Sequence, residues 1–119
     1  MTEKQYNQLL EKVDKELSEY KEFMLSKDKQ EIYESFYEIH AHEDLRDFIE
    51  NEGKRFDYKG FPKEDILGWL YRRFMKTSYE LNQEDLGYFM EYETEDYIKQ
   101  QNSQGELWKT IFKNQETKS

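Results

Sequence analysis

Tyr6, Leu10, Val13, Leu17, Tyr20 and Met24 recur at alternating intervals of four and three residues. This is heptad spacing, and it commits the start of the chain to an amphipathic helix. Leu9 and Phe23 widen the stripe. Thr2, with Gln5 three residues on, forms a capping box, so the pattern predicts a helix of about 24 residues ending near Leu25. A stripe this apolar must be covered, by the rest of the chain or by a second copy. Three heptads stand at the lower limit for an independent coiled coil.

Asp28 followed by Glu31 marks a second helix start. Ile32, Phe36 and Ile39 form its apolar face, with Tyr33 and Tyr37 beside them. Leu45, Phe48 and Ile49 follow in a shifted phase, which favours two helices broken near His42 over one kinked helix, ending at Gly53. Residues 54–61 read as a loop. Pro62 suits a first helical position, with Glu64 and Asp65 in the dipole-favoured first turn. Ile66, Leu67, Leu70 and Phe74 give that helix its apolar face. Asn82 is a candidate N-cap for another helix carrying Leu86, Phe89, Met90, Tyr97 and Ile98, to about residue 101. Asn102-Ser103-Gln104-Gly105 reads as a linker. Leu107, Trp108, Ile111 and Phe112 then form one face of a short helix. It docks on its own domain or serves as a helix-in-groove motif for a partner. The expectation is an all-α fold: a helical domain over 1–101, of four or five helices, and a linker with a short C-terminal amphipathic helix over 102–119.

Composition decides whether such a chain folds at all. Charged residues make up 38 % of the 119 residues and apolar ones only 35 %, a balance that leans toward disorder. Aromatics, however, reach 17 %, with ten tyrosines and eight phenylalanines. Disordered chains are poor in aromatics, so a core of Phe and Tyr with wet phenol edges is expected. There is no cysteine, which removes thiol catalysis, disulfides and cysteine metal sites. No run of apolar residues is long enough to span a bilayer, and the N-terminus lacks a signal-peptide core, so a cytoplasmic protein without membrane contact is expected.

Catalytic apparatus is hard to assemble. The five glycines are scattered singly, and none of the phosphate-cradling or nucleophile-elbow motifs is present. His40 and His42, followed by Glu43 and Asp44, resemble a metal cluster on paper. On a helix, residues two apart point about 200° from one another, so the pair cannot share an ion. The carboxylate pairs Glu43/Asp44, Glu84/Asp85 and Glu95/Asp96 fit helix first turns and solvated faces better than acid–base work, which needs carboxylates in contrasting environments. No catalytic residue, metal or cofactor is assigned, and a non-enzymatic protein is expected.

Charge distribution is more informative. The net charge is −9, from 27 acidic and 18 basic residues. Between Thr77 and Ile98 there is no Lys or Arg, while Glu80, Glu84, Asp85, Glu91, Glu93, Glu95 and Asp96 alternate with Tyr79, Tyr88, Tyr92 and Tyr97. A second acidic block runs from Glu43 through Asp44, Asp47 and Glu50 to Glu52, relieved only by Arg46. Glu31, Glu34 and Glu38 form a third. Groups on successive helical turns stand about 5–6 Å apart, not far from phosphate spacing along a nucleic-acid strand. Two readings compete: a solvated face that keeps the domain soluble, or a docking face for a basic protein groove built to hold nucleic acid. In the second, Glu84, Asp85, Tyr88, Glu91, Tyr92, Glu93, Glu95 and Asp96 are the partner-binding residues. Direct nucleic-acid binding is not expected, because Arg72, Arg73 and Lys76 make too small a basic patch.

Tyr20-Lys21-Glu22-Phe23-Met24-Leu25-Ser26, Glu31-Ile32, Tyr37-Glu38 and Glu43-Asp44-Leu45 together resemble a bacterial domain of unknown function. That family is carried by phages, plasmids and conjugative elements of Gram-positive bacteria, and the likeness covers residues 5–50. It implies no catalytic residues. It implies a setting, mobile elements, where small acidic proteins disarm host defence nucleases. The leading expectation is therefore an inhibitor of such a nuclease, a CRISPR effector or restriction enzyme, acting as a partial nucleic-acid mimic. The alternative is a dimeric helical adaptor or regulator, using the Tyr6–Met24 seam as a homodimer interface or the Leu107–Phe112 face for a partner.

Overall fold

In the computed structural model the backbone is described over residues 1–117 and side chains through Gln104. The protein is all-α. Five α-helices are described: α1 (Glu3–Leu25), α2 (Lys29–Glu34), α3 (Phe36–Glu52), α4 (Ile66–Phe74) and α5 (Gln83–Thr117). Two short 3-10 turns, Gly53–Arg55 and Tyr58–Gly60, link α3 to α4. Among the described residues no helix is long and apolar enough to cross a membrane.

The heptad helix forms where the sequence places it, closed by the Thr2–Gln5 capping box. Its stripe is used inside the molecule. Leu9, Val13 and Met24 are buried, and the half-buried Leu10 and Leu17 pack against the core, so much of this stripe is covered within the fold. Leu45, Phe48 and Ile49 of α3 meet it, with Ile66, Leu67, Leu70 and Phe74 of α4 and Leu86, Phe89 and Met90 of α5. Phe56 and Phe61, from the segment read as a loop, complete the core. Phe74 and Phe89 meet edge-to-face at 5.4 Å. Arg46 ties α3 to α1, its Nε donating to Asp14 at 2.5 Å while the guanidinium also holds Asp47 and Glu50.

Three boundaries differ from expectation. The chain does not break near His42: the break falls at Ser35, and α3 runs unbroken past the histidines. The shifted apolar phase has another cause. Phe36 points outward at 70 % exposure, while Ala41, Leu45, Phe48 and Ile49 point inward. The fourth helix starts at Ile66, four residues after Pro62. Asp65, at φ 54°, turns the chain there, and the cap comes from α1. Both Glu16 carboxylate oxygens accept from the Ile66 N–H, at 2.5 and 3.1 Å, and one accepts from Leu67 at 3.3 Å. Burial raises the pKa of Glu16 above its ordinary value in spite of those bonds. Finally, α5 passes through 102–105 with no break where a linker was expected. One glycine in a helix interior costs only about 1 kcal/mol, and no proline is present. The faces of Leu107, Trp108, Ile111 and Phe112 lie outside the described side chains.

The two histidines take opposite environments. His40 is exposed and lies 3.2 Å from Asp44. His42 is buried, stacked on Tyr20 at 4.0 Å, against Tyr71 at 4.8 Å, with its Nδ1 2.8 Å from the Glu38 carbonyl. Burial lowers the His42 pKa from its ordinary value, outweighing Glu38 and Asp65. The unfolded chain therefore takes up this proton first as pH falls. The stability contributed by neutral His42 is complete above about pH 6.5 and is lost as pH falls below it. Thermal melts at stepped pH should show this acid-side loss in the native chain and less of it in His42→Phe. An identical pH slope in the two would refute it.

Candidate partner-binding face

The structure sorts the acidic residues of α5 by helical phase. At 100° per residue, Glu84, Tyr88, Glu91, Tyr92 and Glu95 fall in one sector about 100° wide. All five are exposed, Tyr88 at 58 % and Tyr92 at 63 %. They form a continuous ridge of carboxylates interleaved with phenols. The opposite side of the helix carries Leu86, Phe89 and Met90 into the core.

Three of the expected contact residues stand apart from the ridge. Glu93 lies about 180° from Glu84 and is buried at 5 % exposure, so it is not a surface contact. Its nearest cation is Arg73, at 3.9 Å, and Oε2 has no hydrogen-bond partner among the described residues. Burial raises its pKa, with Arg73 acting in the other direction. The sequence carried this signal, since 93 stands seven and four residues beyond the core positions 86 and 89. Asp85 is half-buried and engaged locally: its Oδ2 accepts from the Glu80 N–H at 3.0 Å, and its own N–H donates to the Asn82 cap at 2.8 Å. Asp96, also half-buried, accepts from Gln100 at 2.9 Å.

Glu84, Glu91 and Glu95 have no cation within ion-pair distance among the described residues. The second acidic block is matched, whereas Glu31, Glu34 and Glu38 of the third have no ion pair among the described residues. Lys21 reaches Glu43 at 3.4 Å, His40 reaches Asp44, Arg46 holds Asp47 and Glu50, and Arg55 reaches Glu52 at 3.5 Å. The run from Glu43 to Glu52 is thus a paired surface, whereas the α5 ridge is uncompensated. The absence of cations between Thr77 and Ile98 is partly relieved by tertiary structure. Arg55 lies along the ridge's flank, lining one depression with Glu84, Tyr88 and Glu91 and another with Glu91 and Glu95. Nothing local to α5 could have announced it, because it arrives from a turn some thirty residues earlier.

Other cations gather elsewhere. Lys12 donates to the Tyr58 hydroxyl at 3.1 Å, and Lys15, Lys59 and Lys63 line the depressions around that tyrosine. Charge is therefore segregated over the surface. The ridge presents three carboxylates that can pair with cations, and two phenols that offer ring faces for stacking or cation–π contact and hydroxyls that donate or accept.

A small all-helical protein with an unpaired acidic ridge is the class that fold and face define. Compared with known proteins, the chain matches no protein-family model, no curated protein and no solved structure.

Proposed function

We propose that this chain is a non-enzymatic protein-binding protein of a mobile genetic element. It inhibits a host defence nuclease, a CRISPR effector or restriction enzyme, by laying the α5 ridge into a basic nucleic-acid channel. The observation that carries this reading is that Glu84, Glu91 and Glu95 remain unpaired and line up with exposed Tyr88 and Tyr92. Like charges along one helix face repel and cost stability, so the exposed ridge of α5, unlike the paired run from Glu43 to Glu52, offers carboxylates that a cationic partner would relieve. A channel built for phosphate accepts such a ridge through the same lysines and arginines. The resemblance over residues 5–50 supplies the mobile-element setting.

A tagged chain incubated with host lysate at about 50 mM and about 500 mM salt provides the test, since exposed ion pairs are screened across that range. A basic nucleic-acid-processing protein should be captured at low salt only, and added nucleic acid should displace it. Reversing Glu84, Glu91 and Glu95 to Lys should weaken capture by at least a hundredfold, at a typical 1 kcal/mol or more per charge pair. Capture that is indifferent to salt and to the reversal refutes the mimic.

The alternative, a dimeric helical adaptor or regulator, is less favoured by a helix whose Leu9 and Val13 lie in the core and whose Leu10 and Leu17 pack against it.

A further inference from the structure

The helix pair α2–α3 has a second apolar face, and it points to solvent. Tyr33, Phe36 and Tyr37 are 80, 70 and 54 % exposed. With His40 they occupy positions i, i+3, i+4 and i+7, the spacing of one helical stripe. Ser35 interrupts the helix but keeps its geometry: its N–H donates to the Glu31 carbonyl at 3.0 Å, and its carbonyl accepts from Ile39 at 3.0 Å. The Phe36 and His40 rings are parallel within 3° at 6.3 Å, and His40 is anchored by Asp44. Three large exposed aromatics in one stripe are uncommon on a surface with nothing to meet.

We propose that this face pairs with the same face of a second copy, antiparallel about a two-fold axis midway between Phe36 and Tyr37. That axis sets Phe36 against the second copy's Tyr37, Tyr33 against its His40 and Lys29 against its Asp44. The charge order selects the occupant. The stripe begins with Lys29, which has no carboxylate within ion-pair distance among the described residues, and ends with Asp44, so it complements itself when reversed. Aromatic side chains carry roughly 150–250 Å² each, so the three expose about 400 Å² per copy, half of a standard interface side. The dimer is therefore weak and concentration-dependent. It uses a different helix from the α5 ridge and does not rest on the inhibitor reading.

Analytical ultracentrifugation of the full chain between about 5 and about 500 µM tests this, the range where weak interfaces of this size associate. The weight-average mass should climb from one copy toward two. Phe36→Glu should weaken association at least tenfold. Its far-UV circular dichroism and Tm should stay unchanged, since the side chain faces water; if its fold is disturbed, Tyr33→Glu is the equivalent variant. Lys29→Glu and Asp44→Lys should each weaken the dimer, and the double variant should restore it. A single-copy mass throughout, a dimer indifferent to Phe36→Glu or Tyr33→Glu, or a double variant that fails to recover would each overturn the proposal.

Discussion

Gly60→Ala should lower the stability of this protein by about 2 kcal/mol, the usual scale of overpacking against a part that cannot retreat. A Cβ at Gly60 would lie 2.5 Å from the Thr94 Cβ and 3.0 Å from the Thr94 backbone. Thr94 is buried, and its hydroxyl donates to the Met90 carbonyl at 2.8 Å, so neither its side chain nor its helix can yield cheaply. This is the place where the 3-10 turn Tyr58–Gly60 lies directly on α5. Gly87→Ala is the counterpart. A Cβ there meets only the tip of the Arg55 guanidinium, at 2.9 Å, which can swing away. Alanine is favoured over glycine in a helix by about 1 kcal/mol, so Gly87→Ala should be neutral or stabilising. Thermal denaturation followed by far-UV circular dichroism should place the two variants on opposite sides of the parent, Gly60→Ala lower by roughly 8 °C or more. Equal melting temperatures for the two would mean that the turn does not bear on α5 as described.

Glu16→Ala is expected to destabilise by a similar amount, about 2 kcal/mol, by removing the cap of α4 and leaving two part-buried N–H groups without an acceptor. Glu16→Gln retains a side-chain acceptor and removes a desolvated charge, so it should stay within about 0.5 kcal/mol of the parent. The pH dependence has a definite sign. Because the folded pKa of Glu16 is raised, its linkage favours folding below its ordinary value of 4.5, and that advantage is lost as pH rises through the folded pKa. The native chain should gain relative to Glu16→Gln on the acid side, measured by denaturant unfolding at stepped pH. If Ala and Gln prove equally costly, side-chain packing rather than capping holds this junction.

What was legible in the sequence was local. The Thr2–Gln5 box, the Asp28 cap and the Asn82 cap all form, because each needs only residues three apart in the chain. The heptad stripe of α1 was readable for the same reason. The start of α4 was not, because its cap is fifty residues away and Pro62 offered a plausible local substitute. The acidic ridge was visible as a run, but helical phase sorts that run into Glu84, Glu91 and Glu95 outside and Glu93 inside. Counting from Leu86 and Phe89 would have placed Glu93 correctly. The break was misplaced because Phe36 was assigned to the core, whereas apolar residues on a surface helix carry no mark of which side they face.

The shortness of α2 has a consequence for anything that meets Tyr33. None of the six residues of this helix is buried; it is held by the Asp28 cap, by its own backbone bonds and by continuity with α3. A single isolated turn or two of helix is marginal in water. Opening of residues 28–35 therefore exposes little apolar surface beyond the half-buried Ile32 and leaves the α1–α3–α4–α5 core intact. Amide protons there should exchange by local fluctuation, far faster than those of α3, and a protease should nick this bend before any other internal site. A ligand on this end of the molecule would slow both, turning the least protected segment into a reporter of occupancy.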